Sequence, residues 1–565
     1  MSQVDDYLTN LNKEQRQAVE HGNGPLLIVA GAGTGKTTVL VNRLLYLVMS
    51  GQAKPEEILL TTFTDKAAGE MEERADKLLP YGYTDLWIQT FHSFGERLLR
   101  QHGLDIGLPT NFKLLDETAQ WVLLRQNLDR LMLNYYRPLG NETKFLTDLV
   151  KHFSHLKDEN ISSQQYLDYV DSLDFSDMNE PAQLEVTRLK ELAQAYATYN
   201  QLLLDNSCLD FGDLIVYTLK LFRERLNILE QYRQQFKFIL VDEFQDTNWA
   251  QYELLKLLAA PANNLTVVGD DDQSIYKFRG ASLANILKFK DDFPNAREIV
   301  LVANYRSGQA ILDQAYRSIQ HNNPDRLEVK LSLNKKLIAV GVPQSSVEVW
   351  PFHTESEEVV AIADYIKEKH QGSDGAQWSD FAVLIRSNRD ADKFINEFTR
   401  RQIPCQFMSM RGLYYKPIIL DCLAYLKLLD NYHESAALYR VLNSRPFALP
   451  AVDLMELTAL ANRKAWSLFE ALKHSDLAFK INPSSQEIIT KLLRLIDEQS
   501  LMAAKETPSR LFVDFVYKSG LLSGLDPDKD WQIFHYLNQF YRKVKAFEDS
   551  GQDLRLKDFI SLINL

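Results

Sequence analysis

The stretch "LLIVAGAGTGKTTVLVNRLLYL" at residues 26–47 constrains the possible fold more than any other part of the sequence. Its apolar start, Leu26 to Ala30, predicts a buried strand, the three glycines of the next five residues predict a loop, and the amphipathic run from Lys36 predicts a helix. Glycines let successive backbone N–H groups turn towards phosphate oxygens, and the helix N-terminus adds partial positive charge. Strand, loop and helix in this order predict a phosphate-binding site in an α/β fold.

The loop fits the Walker A pattern G-x-x-x-x-G-K-T with one departure, because the pattern must begin at an alanine. Lysine and threonine at its end predict an ammonium that reaches the β and γ phosphates and a hydroxyl offered to Mg²⁺. An ordinary glycine-rich turn is the alternative, and the flanking strand and helix disfavour it. The predicted binding residues for ATP are Ala30, Gly31, Ala32, Gly33, Thr34, Gly35, Lys36 and Thr37.

A second pattern, "FILVDEFQD" at 238–246, is an apolar strand followed by two acids, Asp242 and Glu243. Ligands bind at the carboxyl ends of strands in open parallel sheets. Asp242 is predicted to hold Mg²⁺, directly or through water, and Glu243 to orient and deprotonate the attacking water. Two acids after a strand can also be a solvated turn, but a Walker A loop in the same chain favours the catalytic interpretation. Lys36 and Asp242 can meet on neighbouring strands if the residues between them contain an insertion.

Short apolar runs alternate with helical stretches, which predicts doubly wound parallel sheets. The first set of runs is "PLLIVA", "EILLTTFT", "LWIQTF", "FKFILVDEF" and "NLTVVGDDD"; the second is "REIVLVANYRS", "VEVWPF" and "FAVLIRSN". Two α/β domains are therefore predicted, each interrupted by a mainly helical insertion. The predicted segments are 1–106 and 208–293 for the first domain, 107–207 for its insertion, 294–388 for the second domain, and 389–565 for the second insertion.

Composition limits the class of protein. The 565 residues, 45% hydrophobic and 25% charged, are typical of a soluble protein of several domains. The net charge of −13 taken alone argues against a nucleic-acid partner, although an acidic body can carry a local basic track. Cys208, Cys405 and Cys422 are too few and too scattered for a disulfide framework or a zinc site. Without a signal segment or an apolar run long enough to cross a membrane, the expected location is cytoplasmic.

Eight segments occur in a characteristic order: "LNKEQRQAV", the Walker A loop, "TTFTDKAAGEM", "TFHSF", "DFGDL", "VDEFQD", "VVGDDDQSIYKFRGA" and "LVANYRS". Together they resemble the motifs of superfamily 1 DNA helicases of the UvrD, Rep and PcrA type. This resemblance implies two RecA-like motor domains and an ATP-dependent translocase that unwinds duplex DNA with 3′ to 5′ polarity. It also implies binding to single-stranded DNA and to single-strand/duplex junctions, with repair or recombination proteins as partners.

The resemblance assigns further roles at the nucleotide. It implies that Gln15 reads the adenine, that Tyr305 stacks on it, and that Thr38 lies nearby where many relatives carry an arginine. Gln273 would sense the γ-phosphate, and Arg306 would stabilise its charge from the second motor domain, as an arginine finger does. Taken alone, Arg306 could equally form a surface salt bridge.

The resemblance also implies a track for DNA, with Phe63, Tyr276 and Phe278 stacking on bases and His92 and Arg279 contacting the strand. Each aromatic taken singly could be a core residue instead. The family usually has tryptophan where Phe278 stands, which implies a smaller stacking area.

Motifs V and VI of the family do not occur before Leu565. The expectation is therefore an incomplete second motor domain, a chain cut near the end of the second insertion, and slow ATP hydrolysis without the motif VI arginine. Two other functions stay open. One is a protein that uses ATP as a switch for holding single-stranded DNA without motor activity, and the other is the helicase subunit of a helicase–nuclease complex.

Overall fold

The computed structural model describes residues 8–563 except 79–85, 174–178, 276–282, 373–374, 408–412, 415, 479–480, 504, 524, 527–529 and 550–554. The chain divides into two compact units, Met1–Glu348 and Val349–Leu565. The strands of the described residues all lie in the first unit. They are β1 Leu26–Ala30, β2 Ile58–Thr62, β3 Trp87–Thr90, β4 Lys113–Leu115, β5 Cys208–Asp210, β6 Phe238–Val241, β7 Leu265–Gly269, β8 Arg297–Leu301, β9 Ala303–Asn304 and β10 Ile338–Ala339.

Helices of the first unit surround these strands. They are α1 Lys13–Val19, α2 Lys36–Met49, α3 Asp65–Leu78, α4 Phe91–His102, α5 Glu117–Gln126, α6 Leu146–Asp158, α7 Ser163–Asp171, α8 Glu180–Asp205, α9 Phe211–Glu224, α10 Leu226–Gln235, α11 Trp249–Ala259, α12 Leu283–Asp292, α13 Gln309–Ile319 and α14 Leu327–Lys330.

A parallel six-stranded sheet with the order β3-β2-β6-β7-β1-β8 forms the centre of the first unit. Successive side chains of a strand point to opposite faces, and β1 shows the consequence. Leu27 and Val29 belong to one hydrophobic core, whereas Leu26, Ile28 and Ala30 belong to the other. Helices cover both faces, because the first core includes Phe94 of α4 and the second includes Leu40 of α2. The predicted α/β fold with a doubly wound parallel sheet is confirmed.

One strand differs from its predicted place. Arg297–Leu301 was expected in the second α/β domain, but it pairs in parallel with β1 and forms an edge of the first sheet. Ile299 and Leu301 are buried in the same core as Leu26 and Ile28. Burial beside β1 therefore determines the position of this strand, and the two-residue strands β9 and β10 follow it as a separate parallel pair.

The other two runs predicted as strands in the second domain, 347–352 and 381–388, form no strand in the described residues. Val349 and Leu384 are 87% and 94% exposed. A strand gains stability from a hydrogen-bonded neighbour and from burial of one face. Phe381 and Val383 are partly buried against a hydrophobic core, but neither segment pairs with a neighbouring strand in the described residues. The prediction of strands there is therefore wrong for this structure.

The second unit is helical. Its described helices are α15 Glu355–Gln371, α16 Asn388–Arg400, α17 Pro417–Asp430, α18 Ser435–Asn443, α19 Ala451–Lys464, α20 Leu468–Lys473, α21 Pro483–Ala503, α22 Pro508–Ser519, α23 Trp531–Asp549 and α24 Leu556–Ile563. Ala363, Ile366, Phe398 and Ile403 form the core between α15 and α16. None of the helices in the described ranges of either unit is long and apolar enough to cross a lipid bilayer.

The helical segment between β4 and β5 is closed at its base by those two strands, which pair in parallel. Beside this pair, the side chain of Lys157 is 2% exposed, and its ammonium lies 2.6 Å from Asp210 Oδ2 and 2.7 Å from Asp213 Oδ1. Burial alone would lower the pKa of Lys157, but the two carboxylates hold it above its ordinary value. Tyr199 adds a hydroxyl that donates to Asp210 Oδ2 at 2.8 Å. One buried cation therefore compensates two buried acids at the base of the insertion.

Lys157→Met tests the importance of this buried charge. The substitution leaves two carboxylates buried without a cation, so the free energy of unfolding should fall by about 3–5 kcal/mol. Urea denaturation followed by circular dichroism measures the change. Lys151→Met is the matched control, because Lys151 lies on the same helix and is exposed. Equal stability of the two variants would contradict the role given to Lys157.

Candidate active site

The loop between β1 and α2 has the backbone that its sequence predicts. Gly33 and Gly35 adopt φ values of 76° and 87°, in the left-handed region that favours glycine. The Thr34 hydroxyl donates to the Gly31 carbonyl at 2.8 Å and holds the turn closed. Residues from Lys36 then form the first turn of α2, so the partial positive charge of the helix N-terminus faces the loop.

Lys36 joins the three parts of the predicted catalytic centre. Its ammonium donates to Glu243 Oε2 at 2.7 Å and to Gln273 Oε1 at 3.0 Å. These residues follow β1, β6 and β7, whose carboxyl ends lie at one edge of the sheet. Contrary to expectation, β1 and β6 are not neighbours, because β7 lies between them. The long lysine side chain spans this extra strand.

Asp242 ends β6 in a buried position, 4% exposed. Burial, together with the nearby Glu243 carboxylate, raises the pKa of this carboxyl to about 7, while the Lys36 ammonium acts in the opposite direction. Its Oδ1 atom is buried and has no hydrogen-bond partner, while its backbone N–H donates to the Thr61 carbonyl at 2.9 Å. A buried oxygen without a partner suits a hard cation, and the donor set of Asp242 and Thr37 fits Mg²⁺.

The backbone at Glu243 is unusual. Its φ of 47° and ψ of 46° place a residue with a full side chain in the left-handed region. Such strain costs roughly 1–3 kcal/mol and is concentrated at functional sites. This conformation turns the Glu243 carboxylate to Lys36 directly after a buried strand, which agrees with the catalytic role predicted for it.

Gln245 is a site residue that the sequence did not identify. Its Nε2 donates to Glu243 Oε2 at 2.7 Å, and its Oε1 accepts from the backbone N–H of Asp270 at 3.1 Å. A Cβ atom added to Gly269 would lie 2.9 Å from Gln245 Oε1, so glycine leaves room for this contact. An amide two residues after a candidate base was the available signal for this role.

The predicted adenine residues meet around one pocket of about 980 Å³, lined by Gln15, Thr38, Tyr305 and Arg306 among others. Gln15 is buried and donates from Nε2 to the Thr34 carbonyl at 2.9 Å. Tyr305 donates its backbone N–H to the Gly33 carbonyl at 2.9 Å. This volume is within the range of nucleotide-sized sites, so the structure brings these residues together beside the phosphate loop.

The segment that carries Arg306 lies within the first compact unit, and its assignment to a second motor domain stays a prediction. Asn304, which was not among the predicted site residues, joins this segment to the loop by hydrogen bonds. Its Nδ2 donates to the Ala32 carbonyl at 2.6 Å, and its Oδ1 accepts from the backbone N–H groups of Arg306 and Ser307 at 2.9 and 2.8 Å. In the sequence, the only signal for a role of Asn304 was its position directly before Tyr305 and Arg306.

Two of the residues predicted to contact DNA, Phe63 and His92, lie in the part of the chain that the structure describes. Phe63 follows β2 and His92 lies in the first turn of α4; both are partly buried. Burial lowers the pKa of His92, while Asp65 and Asp210 act in the opposite direction. The ring of His92 meets Phe211 edge to face at 5.7 Å, and Phe211 is 45% exposed. Phe211 was not predicted, although an aromatic within "DFGDL" was a signal. Tyr276, Phe278 and Arg279 lie outside the described residues.

Comparison with known proteins gives matches over nearly the whole chain. Residues 11–294 match the model of the UvrD/REP helicase N-terminal domain, and residues 299–562 match that of the UvrD-like helicase C-terminal domain. A Leuconostoc citreum protein named "ATP-dependent DNA helicase PcrA" is 35% identical over 553 residues, 96% of this chain and 70% of the relative. Proteins of the same name from Staphylococcus epidermidis and Staphylococcus aureus are 33% and 34% identical, and each match covers 73% of the relative and 98% or 99% of this chain.

Gly33→Ala tests the close approach of the Asn304 segment to the loop. A Cβ atom at Gly33 would lie 2.7 Å from both Arg306 Cβ and Asn304 Nδ2. Gly107→Ala is the matched control, with a φ of 78° and nothing within 4 Å of its added Cβ. Both variants bear the cost of a left-handed alanine, but Gly33→Ala should lose about 1–3 kcal/mol more because of the overlap. Thermal and urea unfolding measure the difference, and equal losses would show that the segment moves aside freely.

Proposed function

Because the chain belongs to the UvrD/REP helicase family, we propose that it is an ATP-dependent DNA helicase that moves 3′ to 5′ along single-stranded DNA. The observation that carries this proposal is the convergence of Lys36, Glu243 and Gln273. The Lys36 ammonium lies 2.7 Å from the predicted base and 3.0 Å from the predicted γ-phosphate sensor. The relatives named as DNA helicases support the nature of the substrate. A role in DNA repair, replication or recombination belongs to the same proposal.

ATP is proposed to bind with its base beside Gln15, Thr38 and Tyr305 and its phosphates at the loop. The backbone N–H groups from Gly31 to Thr37 and the N-terminus of α2 would face the phosphate oxygens. Lys36 would exchange its present acceptors for the β and γ phosphate oxygens. Asp242 and Thr37 would hold Mg²⁺, which when bound neutralises part of the phosphate charge.

Hydrolysis then requires Glu243 to accept a proton from the attacking water. The Glu243 Oε2 atom now accepts from Lys36 and from Gln245, each at 2.7 Å. When Lys36 turns to phosphate, Glu243 loses one of these two partners and becomes a better proton acceptor, while Gln245 still orients it. Nucleotide binding and activation of the base are therefore linked through one ammonium. Arg306 would stabilise the charge that develops on the γ-phosphate.

The DNA strand is proposed to cross the carboxyl ends of β2 and β3, where Phe63, His92 and Phe211 lie. Aromatic faces stack on any base, which suits movement along DNA of any sequence. Thr61, two residues before Phe63, accepts the backbone N–H of Asp242 at 2.9 Å. One hydrogen bond and two residues of backbone therefore join the proposed metal ligand to the proposed DNA contact, so a change at one can be transmitted to the other.

ATP turnover with and without single-stranded DNA tests this function. A motor should hydrolyse ATP faster when DNA is added, and it should unwind duplexes with a 3′ tail in preference to those with a 5′ tail. An ATP-switched binding protein would hold DNA in an ATP-dependent manner without this stimulation or unwinding. DNA affinity should also fall steeply as salt rises, because contacts to phosphates release counterions.

Glu243→Gln is predicted to keep ATP bound and to stop its hydrolysis, because an amide cannot accept the proton of the attacking water. Equilibrium binding of labelled ATP and steady-state phosphate release measure the two properties separately. Glu230→Gln is the control, since Glu230 lies on α10 with a side chain 53% exposed. Turnover equal to that of the unmodified chain would remove Glu243 from the role of base.

A further inference from the structure

We propose that Lys335 is a positioning residue that orients the γ-phosphate sensor Gln273 through the carboxylate of Asp270. This inference rests on the proposed function, because it concerns the same nucleotide site. It extends the site to the segment around Lys335, which lies about 60 residues after the sensor and outside the eight recognised motifs.

The contacts form a continuous path. Lys335 Nζ lies 2.6 Å from Asp270 Oδ1. The other oxygen of this carboxylate, Oδ2, accepts from Gln273 Nε2 at 2.7 Å. Gln273 Oε1 in turn accepts from Lys36 Nζ at 3.0 Å. Because Asp270 accepts from the NH₂ group of Gln273, the amide oxygen of Gln273 faces Lys36. Lys335 holds the Asp270 carboxylate in place.

A cation is needed at this position because three acids follow one another at the end of β7. The carboxylates of Asp270, Asp271 and Asp272 lie close enough that oxygens from all three are within 4.8 Å of one another. Lys335 contacts all three, is 4% exposed, and has a pKa held above its ordinary value by Asp270 and Asp271 despite its burial. A protein ammonium occupies the centre of this acidic cluster, so the cluster is not proposed as a metal site.

Arg326 provides the internal comparison. It donates to Asp272 from two nitrogens at 2.8 and 2.6 Å and to Glu328 at 2.6 Å, and its side chain is 3% exposed. Tyr316 of α13 donates to the same Glu328 at 2.9 Å. Arg326 is thus a second buried cation of the same cluster, but its ion pairs are to Asp272 and Glu328 and not to Asp270. Removal of either cation should weaken the fold, whereas only removal of Lys335 should misplace Gln273.

Discrimination between ATP and ADP distinguishes positioning from a merely structural role. The ratio of affinities for the non-hydrolysable analogue AMP-PNP and for ADP is measured with Mg²⁺ by fluorescence titration of the full chain. Lys335→Met is expected to lower the preference for the triphosphate by roughly 10-fold, the lower end of the usual effect of losing a residue that supports a site. Arg326→Met should leave the ratio unchanged despite a lower melting temperature.

A double-mutant cycle with Gln273→Ala completes the test. If Lys335 acts through Gln273, Lys335→Met should change the ratio by less than about 2-fold once the amide is absent. Lys335→Arg keeps the charge and replaces Lys335→Met in the cycle if the latter does not fold; it should give an intermediate ratio. An unchanged ratio in both Lys335 variants, or the same loss with and without Gln273, would overturn the proposal.

These affinities do not require hydrolysis. Absence of DNA-stimulated ATP turnover in the unmodified chain would therefore count against the proposed motor function and leave the positioning proposal to be decided by binding alone.

Discussion

The proposed nucleotide site depends on one buried ammonium, that of Lys36, which follows one strand and is held between groups that follow two others. A buried cation must have partners, and the parallel sheet provides them because the carboxyl ends of its strands lie along one edge. Glu243 and Gln273 approach from β6 and β7, while the loop after β1 places the lysine. The acceptors that hold Lys36 are also the predicted base and sensor. Any group that draws the ammonium away therefore acts on both of them at once.

A few buried groups compensate or hydrogen-bond the carboxylates that lie around the site and at the base of the insertion. Gln245 bonds to Glu243 and to the backbone of Asp270, and thereby joins the ends of β6 and β7 without adding charge. Lys335 compensates the three successive acids after β7, much as Lys157 compensates two acids at the base of the insertion. In both clusters the cation comes from a part of the chain distant in sequence. Electrostatic compensation thus also connects segments that the sheet does not.

Local patterns predicted the features that depend on local chemistry. Strand, glycine-rich loop and helix at 26–49 follow from periodicity and from backbone freedom, and the position of Asp242 and Glu243 follows from an apolar strand. The placement of Arg297–Leu301 could not be predicted in the same way, because its apolar pattern fits the edge of either sheet and the choice depends on β1 as a neighbour. Lys335 gave no signal, since "SLNKKL" is typical of a solvated loop and its burial arises only from acids that precede it by about 60 residues.

Buried ion pairs and hydrogen bonds also join the helical insertion to the rest of the first unit. The insertion lies between Lys36 and Asp242 in the sequence. At its base β4 pairs with β5, and Lys157 neutralises the acids beside these two strands. One residue further along, Asp158 accepts a hydrogen bond at 2.7 Å from Asn248, which also caps α11 just beyond Glu243. Burial raises the pKa of Asp158 to about 7, so this contact lies in a poorly solvated interior. The insertion is thereby fastened to the segment that carries the proposed base, and it forms part of the same structural unit.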